Sequence, residues 1–264
     1  MNSYTGTLEA QLRARRDEGR KVLLPYLSGG FPKGEWTQLL EGFAGAGADA
    51  IEVGIPFSDP VMDGPTIQES SELALQAGAT PESVLAGVAS TDPGIPLVAM
   101  TYYNIAYHMG HERFARSLKD AGICAAILPD LPLEEVGEWA AVADDHEVET
   151  VLLAAPTAPD DRLPLIVERA RGFVYGVGLV GITGERDALA QSAVEMAKRL
   201  KAVTDRPVAI GVGVSTPEQA VEVSQIADGV VVGSAVIRRL LGEDGSIDKA
   251  IDFVGQIRTA LDAG

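Results

Sequence analysis

Apolar, β-rich runs recur eight times along the 264-residue chain, and this repetition restricts the fold more than any other feature. Most of the runs are continuously apolar rather than alternating, as is typical of parallel strands that helices cover on the outside. Eight such strands, alternating with helices, predict an α/β fold: a (β/α)8 TIM barrel that forms one domain over residues 1–264. The predicted strands are Val22–Ser28, Ala50–Gly54, Leu97–Tyr102, Cys124–Pro129, Thr150–Ala154, Gly172–Val177, Val208–Val212 and Gly229–Gly233.

Amphipathic segments between the strands supply the predicted helices. Two helix starts are well marked, because Thr80 and Thr216 are cap residues followed by proline and then glutamate. An extra helix over Leu8–Glu18 precedes the first strand, and we expect it to close the bottom of the barrel. The other predicted helices are Glu112–Ala121, Leu133–Asp144, Leu163–Arg171, Ala188–Val203, Pro217–Ile226 and Ile247–Leu261.

Composition and charge exclude several classes of protein. A formal net charge of −17 argues against nucleic acid or an anionic membrane as a partner, but not against a phosphorylated substrate. No apolar run approaches the roughly 18 residues of a membrane span, and the charged N-terminus lacks the pattern of a signal peptide. The single cysteine, Cys124, lies in an apolar segment and is expected to be a core thiol. These features predict a soluble, cytoplasmic protein.

Two acidic residues stand where a barrel enzyme performs acid–base chemistry. Glu52 lies inside the apolar run Ala50–Ile55, so burial is expected to raise its pKa toward neutrality. Asp63 follows eleven residues later, in a loop rich in proline and aspartate. An isolated buried glutamate is usually structural, but the strand-end position and the second carboxylate favour a catalytic pair.

Glycines follow the seventh and eighth predicted strands, in Gly211–Ser215 and Val232–Ala235. Glycine allows the backbone to approach a phosphate closely, and a short helix after the strand offers N–H donors. Single glycines near strand ends are usually turns, but two such stretches after strands seven and eight predict a phosphate site. The glycine-containing loop 178–184, after strand six, is expected to form a third wall.

Other polar and aromatic residues lie near the predicted strand ends. Tyr26, Tyr102 and Tyr175 fall at or near strand ends, and three aromatic rings around one mouth suit a flat apolar ligand. Asp130 ends strand four and is expected to orient a loop through hydrogen bonds. His108 and His111 are interpreted as solvent-facing loop residues, and we predict no metal site. No lysine falls where it would project into the barrel, which disfavours Schiff-base chemistry.

In these residues the chain resembles the α subunit of tryptophan synthase, and the resemblance covers nearly the whole sequence. A glutamate on strand two followed by the pattern PFSDPxxDGPxIQ is a highly specific combination. The resemblance rests on Pro56–Pro60, Asp63–Gln68, Tyr102, Asn104, Asp130–Pro132, Gly181–Gly184 and Gly233–Ala235.

The resemblance implies a retro-aldol cleavage of indole-3-glycerol phosphate into indole and glyceraldehyde 3-phosphate, without a cofactor. Asp63 would accept a hydrogen bond from the indole N–H, as an ionised carboxylate on a wetter loop, and Glu52 would shuttle protons. Thr183 would belong to a loop that closes over the substrate. The substrate-binding residues would be Tyr26, Tyr102, Tyr175 and Thr183, and the phosphate-binding residues would be Gly184, Gly213, Gly233 and Ser234.

A partner is implied as well. The α subunit of the family docks on a β subunit that carries pyridoxal phosphate, and the two form an αββα heterotetramer. Pro56, Asp59 and Asn104 would face that partner. The chain itself contains no recognisable site for pyridoxal phosphate, so no cofactor is expected in it.

Two positions depart from the family's pattern and leave alternatives open. The strand-six loop contains the apolar segment Gly178–Gly181, where the family more often has serine and a polar or basic residue. Val212 replaces a common phenylalanine. These changes fit a standalone lyase that releases free indole, or a regulatory subunit uncoupled from a β partner. A different phosphate-binding barrel, such as a sugar-phosphate isomerase or epimerase, is a further alternative.

Overall fold

Eight parallel strands form a closed barrel in the computed structural model of the chain, which describes residues 5–178, 186–211 and 213–264. The strands pair in chain order and the eighth closes on the first, so the predicted TIM barrel is confirmed. The strands are β1 Val22–Ser28, β2 Ile51–Gly54, β3 Leu97–Met100, β4 Ile123–Ile127, β5 Glu149–Ala154, β6 Val174–Gly176, β7 Val208–Ile210 and β8 Gly229–Val232.

Several strands end earlier than the sequence predicts. The prediction for β3 extended to Tyr102, but the strand ends at Met100, and Tyr102 instead precedes the next helix as its N-cap residue. The prediction for β4 extended to Pro129, but the strand ends at Ile127. The apolar runs continue past the ladder because their last residues line the mouth of the barrel, where burial persists without strand pairing.

The helices surround the barrel in the expected alternation. Both marked starts are confirmed, because the hydroxyls of Thr80 and Thr216 accept hydrogen bonds from backbone N–H groups in the first turn. The helices are α1 Thr7–Asp17, α2 Gln38–Gly45, α3 Pro65–Gln76, α4 Pro81–Ala89, α5 Tyr103–Met109, α6 His111–Asp120, α7 Gly137–Asp145, α8 Leu163–Arg169, α9 Arg186–Lys201, α10 Pro217–Ser224, α11 Ser234–Ile237 and α12 Ile247–Ala263. In the described ranges, none of these helices has the length and hydrophobicity to cross a membrane.

The loop assignment of two histidines was wrong. His108 lies in α5 and His111 is the first residue of α6, with only Gly110 between the two helices. His111 is half-buried, its ring nitrogen lies 3.0 Å from the Tyr103 hydroxyl, and its ring packs edge-on against Trp139. Gly110 adopts a φ of +80°, which separates the two helices. A glycine between two histidines is also typical of a loop, and this explains the wrong prediction.

The bottom of the barrel is closed by α1, as predicted. Leu8 and Leu12 are buried in the core cluster inside the barrel. The Glu149 carboxylate, at the start of β5, accepts hydrogen bonds from the backbone N–H groups of Leu8 at 2.7 Å and Glu9 at 2.9 Å. This carboxylate satisfies two N–H groups at a helix start that has no local side-chain cap, and it fixes the helix across the barrel floor.

Candidate active site

Glu52 lies in the interior of the barrel. Its neighbours Ile51 and Val53 belong to the outer core between strands and helices, so the alternation of the strand directs Glu52 inward. The residue is 1% exposed, and its Oε1 atom has no hydrogen-bond partner among the described residues. Loss of solvation raises the pKa of the carboxyl to about 8. The predicted environment of Glu52 is therefore confirmed.

Tyr26 stands beside Glu52 in the strand register and is also buried. Its hydroxyl lies over the backbone of Gly54, where an added Cβ atom would come within 2.0 Å of the hydroxyl oxygen. Burial is the main cause of the raised pKa of Tyr26, and the Asp63 and Glu52 carboxylates add to it. Glycine at position 54 thus makes room for a phenol close to the catalytic candidates.

Asp63 is held at the mouth by Tyr102. The Tyr102 hydroxyl accepts a hydrogen bond from the Met62 N–H at 2.8 Å and donates one to Asp63 Oδ2 at 3.2 Å. The Phe57 ring stacks on Tyr102 with a centroid separation of 5.2 Å. Partial burial raises the pKa of Asp63, and the bond from Tyr102 opposes that rise. Tyr102 therefore ties the loop after β2 to the end of β3.

Tyr175 faces the same space from β6. Its hydroxyl lies 3.4 Å from the carbonyl oxygen of Gly211, to which it donates. Its pKa is raised well above the ordinary value, chiefly by burial and further by the charges of Glu52 and Asp63 and by Tyr26. These electrostatic effects show that the carboxyls of Glu52 and Asp63 lie near the phenols of Tyr26 and Tyr175.

Two cavities lie on the Asp63 side of this region, and neither is lined by Glu52 or Tyr175. A small one of about 10 Å³, near the volume of a single water, is lined by Asp63 together with Tyr26, Tyr102, Phe57 and neighbouring residues. A larger one of about 440 Å³ shares Pro129 with the first and includes Met62, next to Asp63. Its other walls come mainly from the ends of β4, β5 and β6 and from the loops after β4 and β5, namely Leu128, Leu131, Pro132, Leu133, Leu152, Leu153, Ala155, Thr157, Ala158, Pro159, Arg162, Ile166 and Val177. This volume is in the range of small-molecule sites.

The described glycines of the predicted phosphate site, Gly213 and Gly233, follow the two paired neighbouring strands β7 and β8. Gly213 has a φ of +82°, a conformation that favours glycine. At Gly233 an added Cβ atom would meet nothing closer than 3.6 Å, so local packing does not require glycine there. Within the described residues, the N–H groups of Gly233 and Ser234 donate to no protein acceptor, which leaves them free for an anion.

Comparison with known proteins decides the family. The family model described as tryptophan synthase alpha chain matches residues 12–260. The chain belongs to the tryptophan synthase alpha chain family. Members of this family cleave indole-3-glycerol phosphate in tryptophan biosynthesis.

Individual relatives agree with the family match along most of the chain. The tryptophan synthase alpha chain of Streptomyces coelicolor is 41% identical over 244 residues, which cover 91% of this chain and 90% of the relative. A chain of the tryptophan synthase structure from Mycobacterium tuberculosis superposes with a TM-score of 0.91 at 36% identity, covering 99% of this chain and all of that one. The Legionella pneumophila alpha subunit gives a TM-score of 0.89 at 30% identity.

The three residues that family resemblance assigns to a partner surface differ in exposure. Asp59 and Asn104 are exposed, on the loop after β2 and on α5, whereas Pro56 is buried. Pro56 can therefore act on that surface only by shaping the loop. Three apolar side chains that were not predicted are exposed on the same loop and helix: Val61 is 80% exposed, Met62 is 57% exposed and Tyr107 is 66% exposed.

Asp130 lies as the sequence predicts, whereas Cys124 packs against the core inside the barrel but is only partly buried. The Asp130 carboxylate accepts a hydrogen bond from the Tyr103 N–H at 2.8 Å, so it orients the start of α5 from the loop after β4. Burial raises the pKa of the Cys124 thiol to about 12, which fits a packing role. Among the described residues no group of three or more histidine, cysteine or acidic side chains could hold a metal ion.

Four sequence predictions fall on positions outside the described residues. They are Thr183, Gly184, most of the altered strand-six loop after Gly178, and Val212.

Proposed function

We propose that this chain cleaves indole-3-glycerol phosphate to indole and glyceraldehyde 3-phosphate, with Glu52 and Asp63 as its catalytic residues. The family membership supports the reaction. The observation that carries the assignment is the fully buried Glu52 carboxyl, whose Oε1 atom has no hydrogen-bond partner among the described residues, whose pKa is about 8, and whose charge, like that of Asp63, acts on Tyr175. A carboxyl in this state holds a proton near neutral pH and can release and recover it during turnover.

The reaction needs two proton movements and one broken bond. A proton is added to indole C3 to give the protonated indolenine, and the hydroxyl on the adjacent glycerol carbon loses its proton. The bond between these carbons then breaks, its electron pair returns to the indole ring, and the hydroxyl carbon becomes the aldehyde. Glu52 is the proposed group for both proton movements, and the overall cleavage consumes no co-reactant.

Asp63 is the proposed acceptor for the indole N–H, since a negative oxygen there stabilises positive charge that develops on the ring nitrogen. Tyr102 orients the Asp63 carboxylate through the bond to Oδ2. Tyr26, Tyr175 and Tyr102 are the proposed aromatic walls for the indole. Among the residues that the structure describes, those proposed to bind the phosphate are Gly213, Gly233 and Ser234. No cofactor is assigned to the chain.

A β subunit of tryptophan synthase, which carries pyridoxal phosphate, is the proposed partner. Asp59 and Asn104 would contact it from the exposed side of the mouth. Support comes from the exposed apolar side chains of Val61 and Tyr107 in the same region, because apolar and aromatic groups are typical of the centre of a protein interface.

Indole release from indole-3-glycerol phosphate tests the proposal. The unmodified chain is expected to release indole, and Asp63→Asn is expected to lower the rate by roughly a hundred-fold or more, since it loses the charge that faces the indole nitrogen. Asp120→Asn, at the exposed end of α6, makes the same chemical change far from the mouth and should keep the unmodified rate. Unimpaired release by Asp63→Asn would refute the acid–base assignment.

A further inference from the structure

Two consecutive arginines follow the short helix α11, and they have different surroundings. The guanidinium of Arg239 lies 3.2 Å from the centroid of the Phe253 ring and donates a hydrogen bond to the carbonyl oxygen of Ala235. Arg239 is therefore part of the packing between α11 and α12. Arg238 is exposed and takes no part in that packing.

Arg238 reaches toward the loop after β7 instead. Its Nη2 atom lies 3.3 Å from the Ser215 hydroxyl, to which it donates, and that hydroxyl donates to the carbonyl oxygen of Gly213 at 3.4 Å. The guanidinium thus lies one serine side chain away from Gly213 in the loop after β7. No carboxylate among the described residues forms an ion pair with Arg238, although the chain carries a net charge of −17.

Ser215, which lies between Arg238 and Gly213, is held by the first turn of α10. The Ser215 N–H donates to Gln219 Oε1 at 2.8 Å, and the Gln219 N–H donates to the Thr216 hydroxyl at 3.3 Å. These bonds leave the Ser215 hydroxyl to interact with Arg238. The bond from Arg238 therefore ends on a serine whose backbone is held by the loop after β7.

We propose that Arg238 is a binding residue for the phosphate of the substrate, acting from the open side of the site formed by Gly213, Gly233 and Ser234. This inference rests on the proposed function and adds a formal positive charge to a site whose described members, Gly213, Gly233 and Ser234, are all uncharged. A guanidinium has five N–H donors, so one bond to Ser215 leaves others for phosphate oxygens.

The electrostatics of the mouth give the reason for such a residue. A phosphorylated substrate brings negative charge to a strongly acidic protein, whose formal net charge of −17 repels it. Backbone N–H groups supply only partial charges, whereas a nearby guanidinium opposes this repulsion directly. The absence of a carboxylate partner among the described residues keeps the charge of Arg238 available to the ligand.

A purely structural role is the competing explanation, in which Arg238 only ties the loop after β7 to α11. The two explanations differ in what Arg238→Gln changes. Loss of a tie lowers stability and disturbs turnover. Loss of a phosphate contact weakens binding of phosphate-bearing ligands and leaves the chemical step unchanged.

The test measures kcat and KM for indole-3-glycerol phosphate together with the affinity for inorganic phosphate by calorimetry. For Arg238→Gln we expect KM and the phosphate dissociation constant to rise roughly three- to ten-fold, while kcat stays within about two-fold. Arg238→Lys keeps the charge and should recover part of the loss. Arg116→Gln removes the same charge from the exposed face of α6 and should match the unmodified chain.

Unchanged KM and unchanged phosphate affinity in Arg238→Gln would overturn the inference. An equal loss of phosphate affinity in Arg116→Gln would also overturn it, since the effect would then come from net charge alone. Calorimetry with inorganic phosphate does not depend on turnover. A chain that releases no indole would refute the proposed function, while the phosphate measurements would still decide the role of Arg238.

Discussion

The buried Glu52 carboxyl is expected to cost the protein stability, and the cost should depend on pH. Loss of solvation raises its pKa from 4.5 to about 8. Below pH 4.5 the carboxyl is protonated in both the folded and the unfolded chain, so it has no effect on the pH dependence. As the pH rises from 4.5 to 8, the unfolded chain releases the proton while the folded chain keeps it, so the free energy of unfolding falls.

The size of the effect follows from the pKa difference. One pKa unit corresponds to about 1.4 kcal/mol, so the ionised carboxyl costs up to about 5 kcal/mol above pH 8. Glu52→Gln removes the titrating group but keeps the shape of the side chain. The free energy of unfolding of this variant, minus that of the unmodified protein, should therefore increase by up to about 4 kcal/mol from pH 5 to pH 9. Other buried acids, such as Glu149, are present in both proteins and cancel in the comparison.

Urea unfolding at a series of pH values measures this difference, with the far-ultraviolet circular dichroism as the signal. Glu222→Gln, on the exposed face of α10, is the matched control and should show no pH-dependent gain. In the same preparations, Glu52→Gln should release indole at least a hundred-fold more slowly, because the proton carrier is lost. A stability difference that stays constant from pH 5 to pH 9 would refute the account of Glu52 as a desolvated acid.

Three further changes test other parts of the structure. Tyr102→Phe removes the hydroxyl that ties the loop after β2, so kcat/KM for indole release should fall by about ten-fold with little change in Tm; an unchanged kcat/KM would show that the tie is unimportant. Glu149→Gln weakens the cap on α1 and should lower the free energy of unfolding by about 2–3 kcal/mol in urea titrations, with unchanged turnover; equal stability would contradict the capping role. Gly211→Ala places a Cβ atom 1.9 Å from the Tyr175 hydroxyl, so the ring must move and KM should rise by about ten-fold. The control Gly255→Ala has open space around the added Cβ atom and should behave like the unmodified chain. A normal KM in Gly211→Ala would show that Tyr175 does not line the substrate site.

The barrel and the environment of Glu52 were predictable because both depend on local sequence. Continuous apolar runs mark strands that are covered on both faces, and a lone acid within such a run must be buried. The helix starts at Thr80 and Thr216 were equally clear, since a cap residue and the proline after it act within one turn.

The parts that were missed depend on contacts between distant segments. Tyr102 was predicted only as a wall of the substrate site, yet it meets Met62 and Asp63 about 40 positions earlier in the chain. Nothing in the local pattern around Arg238 indicates its bond to Ser215, 23 positions away. Such pairings are set by the order in which the strands close the barrel, so they become visible only once the fold is known.

The helix α5, next to the mouth of the barrel, was also missed. The segment containing α5, Tyr103–Met109, is short and aromatic, and it has too few turns for a hydrophobic period to stand out. The stop at Gly110 then made His108 and His111 look like loop residues. This helix carries Asn104 and the exposed Tyr107, so its omission hid part of the proposed partner surface.

Indole formation from indole-3-glycerol phosphate, by the purified chain alone and then with a β subunit of tryptophan synthase, tests the central claim most directly. We expect slow but measurable release by the chain alone and a sharp rise when the β subunit is added. Fast release that ignores the β subunit would retain the reaction but make the chain a standalone lyase. No indole with or without the β subunit would contradict the proposed chemistry of Glu52 and Asp63.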